Sequence, residues 1–313
     1  MLEGKKILIT GGTGFFGKNL FYHAPFLLEK NRITLVSRDP EKFLAVFPRL
    51  RENENLSFLP CDVRDFSCPE HDFDVIVHAA ASFGADVSGE ETFEIIREGT
   101  KKVLSFAGKN PALRRFLFIS SGAVYGRRLT RIQSENSPLA PCEPYGIAKK
   151  EAEELCLRSG LPCVIARCFA FAGEFMALDA HFAVGNFLSS VLHDRDLIIK
   201  GDGSAVRSYM YSGDLVKHLL LLAQGDIPSG RIYNVGSDEA FSIRELAEEV
   251  AECGGSSRKI IVQGKFLPGT VPDIYVPDIS RIRLELNTPN VLSLRETLSR
   301  TLDFFREKAS SAS

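Results

Sequence analysis

A tyrosine and a lysine four residues apart, in Tyr145-Gly-Ile-Ala-Lys149, form a pair that can move a proton. On a helix that spacing puts both side chains on one face, one turn apart. A neighbouring ammonium stabilises phenolate, so the spacing predicts a Tyr145 pKa lowered toward the range of an acid–base catalyst. Ser121 lies upstream at the end of an apolar run, where a hydroxyl can hydrogen-bond a substrate carbonyl or hydroxyl. Tyrosine–lysine spacings of this kind are common by chance. The value of this one lies in what precedes it along the chain.

Lys6 to Gly17 read KILITGGTGFFG. Ile7, Leu8 and Ile9 suit a buried parallel strand, and Gly11, Gly14 and Gly17 follow where the chain must turn into a helix. Gly11 permits the turn. Gly14 lets backbone N–H groups approach a phosphate without a Cβ in the way, and Gly17 lets the helix pack closely on the sheet. The helix start adds partial positive charge, so the segment reads as a cradle for the pyrophosphate of a dinucleotide.

These groups need a scaffold. Strand-like segments at Lys6–Thr10, Ile33–Ser37, Leu56–Leu59, Val75–Ala79, Phe116–Ser120 and Cys163–Ala166 alternate with helix-like ones, which implies a doubly wound parallel sheet of the α/β class. The strands from Val75 and Phe116 are apolar throughout and belong at its centre. Ser121 then falls at the carboxyl edge, where such sheets bind ligands. From about residue 167 the pattern loosens into short strands, such as Leu197–Lys200 and Arg231–Val235, and helices at Ser242–Cys253 and Leu294–Glu307. The expected division is a first domain over residues 1–166, completed by part of 205–236, and a smaller C-terminal α/β substrate domain over 167–313. The small, polar tail Ala309–Ser313 is expected to fray.

With 313 residues, 44% of them hydrophobic and 25% charged, and a net charge of −2, the chain reads as an ordinary soluble globular protein. It has neither the basic field that nucleic acid requires nor an apolar run approaching the roughly 18 residues of a membrane span. Seven cysteines without a CxxC pair read as reduced thiols of a cytoplasmic protein and argue against zinc. The first strand begins by Lys5, so no signal peptide is expected.

The second strand ends in Ser37-Arg38-Asp39-Pro40, where the adenosine ribose of a dinucleotide lies. An acid there binds both ribose hydroxyls of NAD, whereas a small hydroxyl followed by arginine suits the 2′-phosphate of NADP. Asp39 reads as the N-cap of the next helix, with Pro40 at its first position. Ser37 and Arg38 are left to select NADP, with NAD as the alternative. Asp62, at the end of the third strand, is placed to accept a hydrogen bond from adenine. His78-Ala79-Ala80-Ala81 ends the fourth strand in small residues that let the chain pass close to a flat cofactor. His78 itself reads as a packed, hydrogen-bonded histidine rather than a catalyst.

Taken in order, the glycine turn, HAAA, the serine strand end and YxxxK resemble the extended short-chain dehydrogenase/reductase family. Its members are NAD(P)-dependent epimerases, dehydratases and reductases of nucleotide sugars with a Rossmann-like dinucleotide-binding half. TGGxGFxG is matched by Thr10–Gly17, which includes Thr13, Phe15 and Phe16; D(V/I)RD by Asp62–Asp65, which includes Val63; HxAA by His78–Ala81; and SSxxVYG by Ser120–Gly126. Arg167-Cys-Phe169 resembles RxFN, and Gly201-Asp-Gly203 to Arg207 and Asp214 resembles GDGxxxRxxxxxxD. Counting back from VYG, the resemblance identifies Ser121 rather than Ser120 as the catalytic hydroxyl, beside Tyr145 and Lys149. It implies that Phe169 lines the cofactor site and that Ser82, Phe83, Ser121, Gly122 and Tyr145 meet the sugar. Asn186 and Arg207 would hold the pyrophosphate of the sugar nucleotide. Ala170, Ile96 and Leu267 depart from the family's two asparagines and second arginine, with Lys265 the nearest substitute for the last.

Dehydratases and decarboxylases of this family usually carry an acid just after the catalytic Ser or Thr, and Gly122-Ala123 stand there instead. The resemblance therefore implies NADPH-dependent reduction of a keto group, at C4 of a nucleotide-linked deoxysugar. Tyr145 would donate the proton, Ser121 would polarise the oxygen, and Lys149 would hold the nicotinamide ribose and tune Tyr145. The alternatives are an NAD-dependent sugar-nucleotide 4-epimerase and a non-catalytic NADP-sensing protein; the presence of both Tyr145 and Lys149 argues against the second. Homodimerisation through helices of the first domain is common in the family.

Overall fold

The computed structural model describes residues 2–81, 88–127, 131–178, 182–224, 226–265, 269, 271–289 and 291–310. Ser82 and Phe83, Leu267, the stretch 179–181 and the last three residues lie outside the described residues. The elements run β1 (Lys6–Thr10), α1 (Phe15–His23), α2 (Phe26–Lys30), β2 (Arg32–Ser37), α3 (Pro40–Leu44), β3 (Leu56–Pro60), β4 (Val75–His78), α4 (Gly89–Ala107), β5 (Arg115–Ser121), α5 (Pro144–Arg158) and β6 (Cys163–Cys168). They continue as β7 (Phe171–Ala172), α6 (Ala183–Leu192), β8 (Leu197–Ile199), β9 (Val206–Arg207), β10 (Met210–Tyr211), α7 (Ser212–Ala223), β11 (Arg231–Val235), β12 (Phe241–Ser242), α8 (Ile243–Gly254), β13 (Ile260–Val262), β14 (Ile274–Tyr275), α9 (Ser280–Leu286) and α10 (Leu294–Ser310).

A seven-stranded sheet in the order β11-β6-β5-β4-β1-β2-β3 carries the first half, and the ladders from β6 through β3 are parallel. β4 and β5 lie inside it, as their continuous apolar character requires. Successive side chains alternate between its faces. Leu8, Ile76, Phe116, Phe118 and Ile165 pack with Ile95, Ile96 and Val103 of α4 and with Ala148 and Ala152 of α5. The opposite parity, Ile7, Ile9, Val75, Val77, Leu117 and Ile119, meets Phe16 and Leu20 of α1 and Leu219 of α7. Ile96, where the family has asparagine, is fully buried in the first of these layers.

The chain divides into two compact units, one of Met1–Gly126, Pro138–Cys168 and Val216–Tyr233, the other of Arg127–Ser137, Phe169–Leu215 and Asn234–Ser313. The second has its own core, in which Val184, Phe187 and Leu188 of α6 meet Leu246 and Val250 of α8 and Leu298 and Leu302 of α10. Phe187 belongs to this core, whereas Phe182 at the N-cap of α6 is exposed.

β6 runs two residues beyond the expected end at Ala166. The apolar run stops at Arg167, but that guanidinium is paired inside the protein, so a charge there does not end the strand. Among the described residues, no helix is long and apolar enough to cross a membrane.

Candidate active site

The carboxyl ends of β1, β2, β3, β4 and β5 carry the residues singled out above. At the end of β1, Gly11 adopts φ +69°, and a Cβ there would lie 2.8 Å from the Ala80 backbone. The turn after β1 and the end of β4 therefore pass close enough at Gly11 and Ala80 to exclude a Cβ on Gly11. At Gly17 a Cβ would fall 1.7 Å from the Gly12 carbonyl oxygen, so the first turn of α1 closes directly on the glycine loop. Gly14 is the N-cap of α1 and is exposed; a Cβ there would meet only Gly11 O, at 3.3 Å. The first turn of α1 has no acidic residue. An open cradle of backbone at an acid-free helix start fits the pyrophosphate of a dinucleotide.

The end of β2 is built as the sequence suggests. Asp39 caps α3, its Oδ1 accepting from Lys42 N at 3.3 Å with Pro40 behind it, so its carboxylate serves the helix. Ser37 Oγ hydrogen-bonds Thr13 Oγ1 at 2.7 Å and accepts from Asp39 N, and Arg38 is exposed. Asp62 caps the single turn Val63–Asp65 and receives the Arg64 guanidinium on both oxygens at 2.9 Å. Arg64, with a smaller contribution from Arg38, holds that carboxyl below its usual range. Val63 is buried beneath α4, where only glycine fits at position 99.

His78 is fully enclosed, and burial together with the Lys149 charge pushes its pKa down to about 3. The Thr100 hydroxyl donates to Ile96 O at 2.6 Å, so toward His78 Nε2, 3.0 Å away, it can only accept. Nε2 thus carries the single ring hydrogen, and Nδ1 accepts from the Thr10 hydroxyl at 2.6 Å. Thr10 Oγ1 in turn accepts from Ala80 N. This is the packed histidine the sequence implies, and it fixes the spacing between the ends of β1 and β4 and helix α4.

Ser121 ends β5 and enters the turn Gly122–Tyr125, its Oγ accepting from Ala123 N at 3.2 Å. Pro144 occupies the first turn of α5. Gly146 lets that turn sit on the Ser121 turn, because a Cβ there would be 2.7 Å from Ala123 O. Tyr145 is thereby brought into hydrogen-bonding contact with Ser121. Lys149 Nζ, one turn on, donates to Ile119 O at 2.7 Å and stands 4.9 Å from the Phe118 ring centroid and 5.9 Å from that of Tyr145.

One expectation is corrected by this geometry. Burial pushes the Tyr145 phenol up to about 12, opposed by the Ser121 hydrogen bond, instead of the ammonium drawing it down. The Lys149 charge is spent on Ile119 O and Phe118, and burial pushes the ammonium itself down to about 8. The spacing placed both groups on one face; it could not say how deeply that face is buried. Beside the Ser121 hydroxyl the phenol can still give a proton to a developing oxyanion, as a weaker acid than the spacing predicts.

In the second unit, Phe169 packs on Tyr275 with ring centroids 4.8 Å apart. Asn186 lies half-buried in the first turn of α6. Arg207, expected to hold a pyrophosphate, gives Nη2 to Asp273 Oδ2 and Nη1 to the Asp273 and Val206 carbonyls, each at 2.8 Å.

Beside these groups lie two motif residues, Ser120 and Arg167, and one residue no motif names, Glu153. Ser120 and Arg167 face one another across β5 and β6, and Glu153 follows Lys149 by one helical turn. Ser120 Oγ donates to Glu153 Oε1 at 2.5 Å, Arg167 pairs with Glu153 at 2.7 Å, and its Nη1 reaches the Tyr125 hydroxyl at 3.0 Å, all buried.

A family model described as the NAD dependent epimerase/dehydratase family matches residues 7–236. A UDP-N-acetyl-alpha-D-glucosaminuronate decarboxylase of Bacillus cytotoxicus is 28% identical, with 97% of this chain and 98% of that one covered. UDP-glucuronic acid decarboxylase 1 of Arabidopsis thaliana is 30% identical over 97% of this chain and 70% of its own. Among solved structures, a mutant UDP-glucuronic acid 4-epimerase from Bacillus cereus, in complex with UDP-4-deoxy-4-fluoro-glucuronic acid and NAD, superposes with a TM-score of 0.82 at 25% identity, covering 97% of this chain and 99% of that one.

Proposed function

Because the chain belongs to the NAD dependent epimerase/dehydratase family, NAD(P)-dependent enzymes of the extended short-chain dehydrogenase/reductase type, we propose that it acts at C4 of a UDP-linked sugar, reducing a 4-keto group with NADPH. The observation that carries this reading is the half-buried Tyr145 in contact with buried Ser121, with buried Lys149 one turn behind it. Tyr145 Oη gives its proton to the sugar oxygen, and the Ser121 hydroxyl orients that oxygen. Lys149 would hold the nicotinamide ribose. The glycine turn, Thr13, Phe15, Phe16, Asp62, Val63 and Ala79–Ala81 would hold the rest of the dinucleotide, with Ser37 and Arg38 on the 2′-phosphate side. The bound dinucleotide supplies hydride chemistry at the sugar carbon. The capping role of Asp39 supports NADP, since the acid nearest the end of β2 is engaged by its own helix. Gly122 and Ala123 give the turn after Ser121 no carboxylate, which favours reduction over the decarboxylation named for two of the relatives.

An NAD-dependent 4-epimerase is the second reading, favoured by the solved relative that holds NAD and a UDP-sugar analogue. One experiment separates the two: the nucleotide carried by the purified protein is identified by mass spectrometry, and UDP-4-keto-sugars are tested with NADPH by its loss of absorbance. NADPH consumption with one of these sugars is expected. Tyr145→Phe should slow it by about 10²–10⁴-fold while leaving NADPH binding nearly unchanged. Co-purified NAD, with interconversion of UDP-sugars in the absence of added cofactor, would establish the epimerase instead. Full turnover by Tyr145→Phe would refute both.

A further inference from the structure

We propose that Glu153 is the positioning residue of the active site: it ties together the elements that carry Ser121, Tyr145 and Lys149, and it supplies the anion that keeps the Lys149 ammonium charged. The proposal rests on those three being the catalytic groups.

Three backbone facts bring this about. Residues 145, 149 and 153 repeat every four positions along α5 and so share one face. Ser120 and Arg167 are register partners on β5 and β6, and their parity, shared with Phe116, Phe118 and Ile165, turns them toward that face. The adjacent pair in the same register is Ser121 with Cys168. Glu153 accepts from Ser120 on one oxygen and from Arg167 on both, so one carboxylate pins α5 to the two strands beside the Ser121 hydroxyl. Arg167 extends the tie to the Tyr125 hydroxyl in the turn that follows Ser121. A rigid bracket of this kind fixes the reach from Tyr145 to Ser121.

The charge matters separately. Lys149 is buried, which works against its ammonium; the Cys168 and Glu153 groups work for it, and of the two Glu153 is the anion, because burial pushes the Cys168 thiol up to about 12. The groups around it are Tyr145, Glu153 and Cys156 on α5, Cys168 on β6, Ile119 O and the Phe118 ring on β5, and neutral His78 on β4, while Arg167 of β6 is paired to Glu153 and to the Tyr125 hydroxyl. From α4, Arg97 pairs with Glu151 on the part-exposed side of α5. Among the described residues, Glu153 is the one carboxylate acting on Lys149 from its own buried face.

The test reads Lys149 directly, in protein labelled with carbon-13 at the lysine Cε, with Lys149→Arg identifying its resonance. Glu153→Gln should move the Lys149 titration midpoint down by about one pH unit or more, and Glu153→Asp, which keeps the charge, should return most of that shift. If Glu153→Gln fails to fold with Arg167 left buried and unpaired, the double variant Glu153→Gln/Arg167→Met removes both charges and must still move the midpoint down. An unmoved midpoint in whichever variant folds overturns the proposal. Neither substrate nor turnover enters that measurement, so its failure leaves the catalytic reading standing. Wild-type turnover by Lys149→Met would instead overturn the catalytic reading, and the proposal with it.

Discussion

His78 shows how a single side chain ties local chemistry to stability. Its pKa of about 3 in the folded protein lies far below the ordinary 6.5, because burial and Lys149 both resist a second positive charge. Above pH 6.5 it is neutral in both states and costs nothing. As the pH falls from 6.5 toward 3, the unfolded chain takes up a proton that the folded protein refuses, so stability is lost over that window, by up to about 5 kcal/mol. Denaturant unfolding at several pH values should give wild type a steeper acid loss than His78→Asn, the difference isolating this residue from the titrating carboxylates. Equal slopes would show that the ring charges in place. The role of His78 was legible from a polar residue at the end of an apolar strand. The protonation of Tyr145 and Lys149 was not, because spacing along a helix reports direction and says nothing of depth.

At the scale of elements, the β1–α1 turn separates packing from binding within one motif. Gly17→Ala drives a Cβ into the Gly12 carbonyl, a backbone atom that cannot swing aside. It should cost about 3 kcal/mol or more, seen as a large fall in melting temperature. Gly14→Ala meets only a 3.3 Å contact at an ordinary φ of −85°, so it should melt within a few degrees of wild type yet bind NADPH more weakly. Undiminished affinity in Gly14→Ala would remove the dinucleotide from this turn. The turn at Gly11 could be read from sequence because its positive φ follows from local backbone, whereas Gly17, expected to bring the helix close to the sheet, meets the Gly12 carbonyl of the loop. Gly12 against the Leu35 side chain, and Gly146 against Ala123, could not be read, since those contacts join segments distant in the chain or separated by a loop.

Across the whole molecule, the cysteines sort by depth. All seven are free: Cys142 is exposed, Cys61 and Cys253 are intermediate, and Cys68, Cys156, Cys163 and Cys168 are buried. Burial also raises the thiols of Cys61 and Cys253, which lowers their thiolate fraction. Titration of the native protein with a disulfide reagent should count one fast thiol and two slow ones, with four more only after denaturation. A fourth thiol reacting before denaturation would mean that a buried strand or helix opens readily. The first unit was the more legible from sequence because its strands are long enough to show a period. β7, β9, β10, β12 and β14 have two residues each, too few for any pattern to register. Six segments alternate between the two units, so the chain passes from one to the other five times. β6 receives its outer neighbour, β11, only after Arg231 has been made. At about 5–20 residues per second, a ribosome takes several seconds to travel from Cys168 to that point. Throughout that interval the nascent sheet offers β6, with Arg167 on it, as an open edge, the state in which a newly made chain is most exposed to pairing with another.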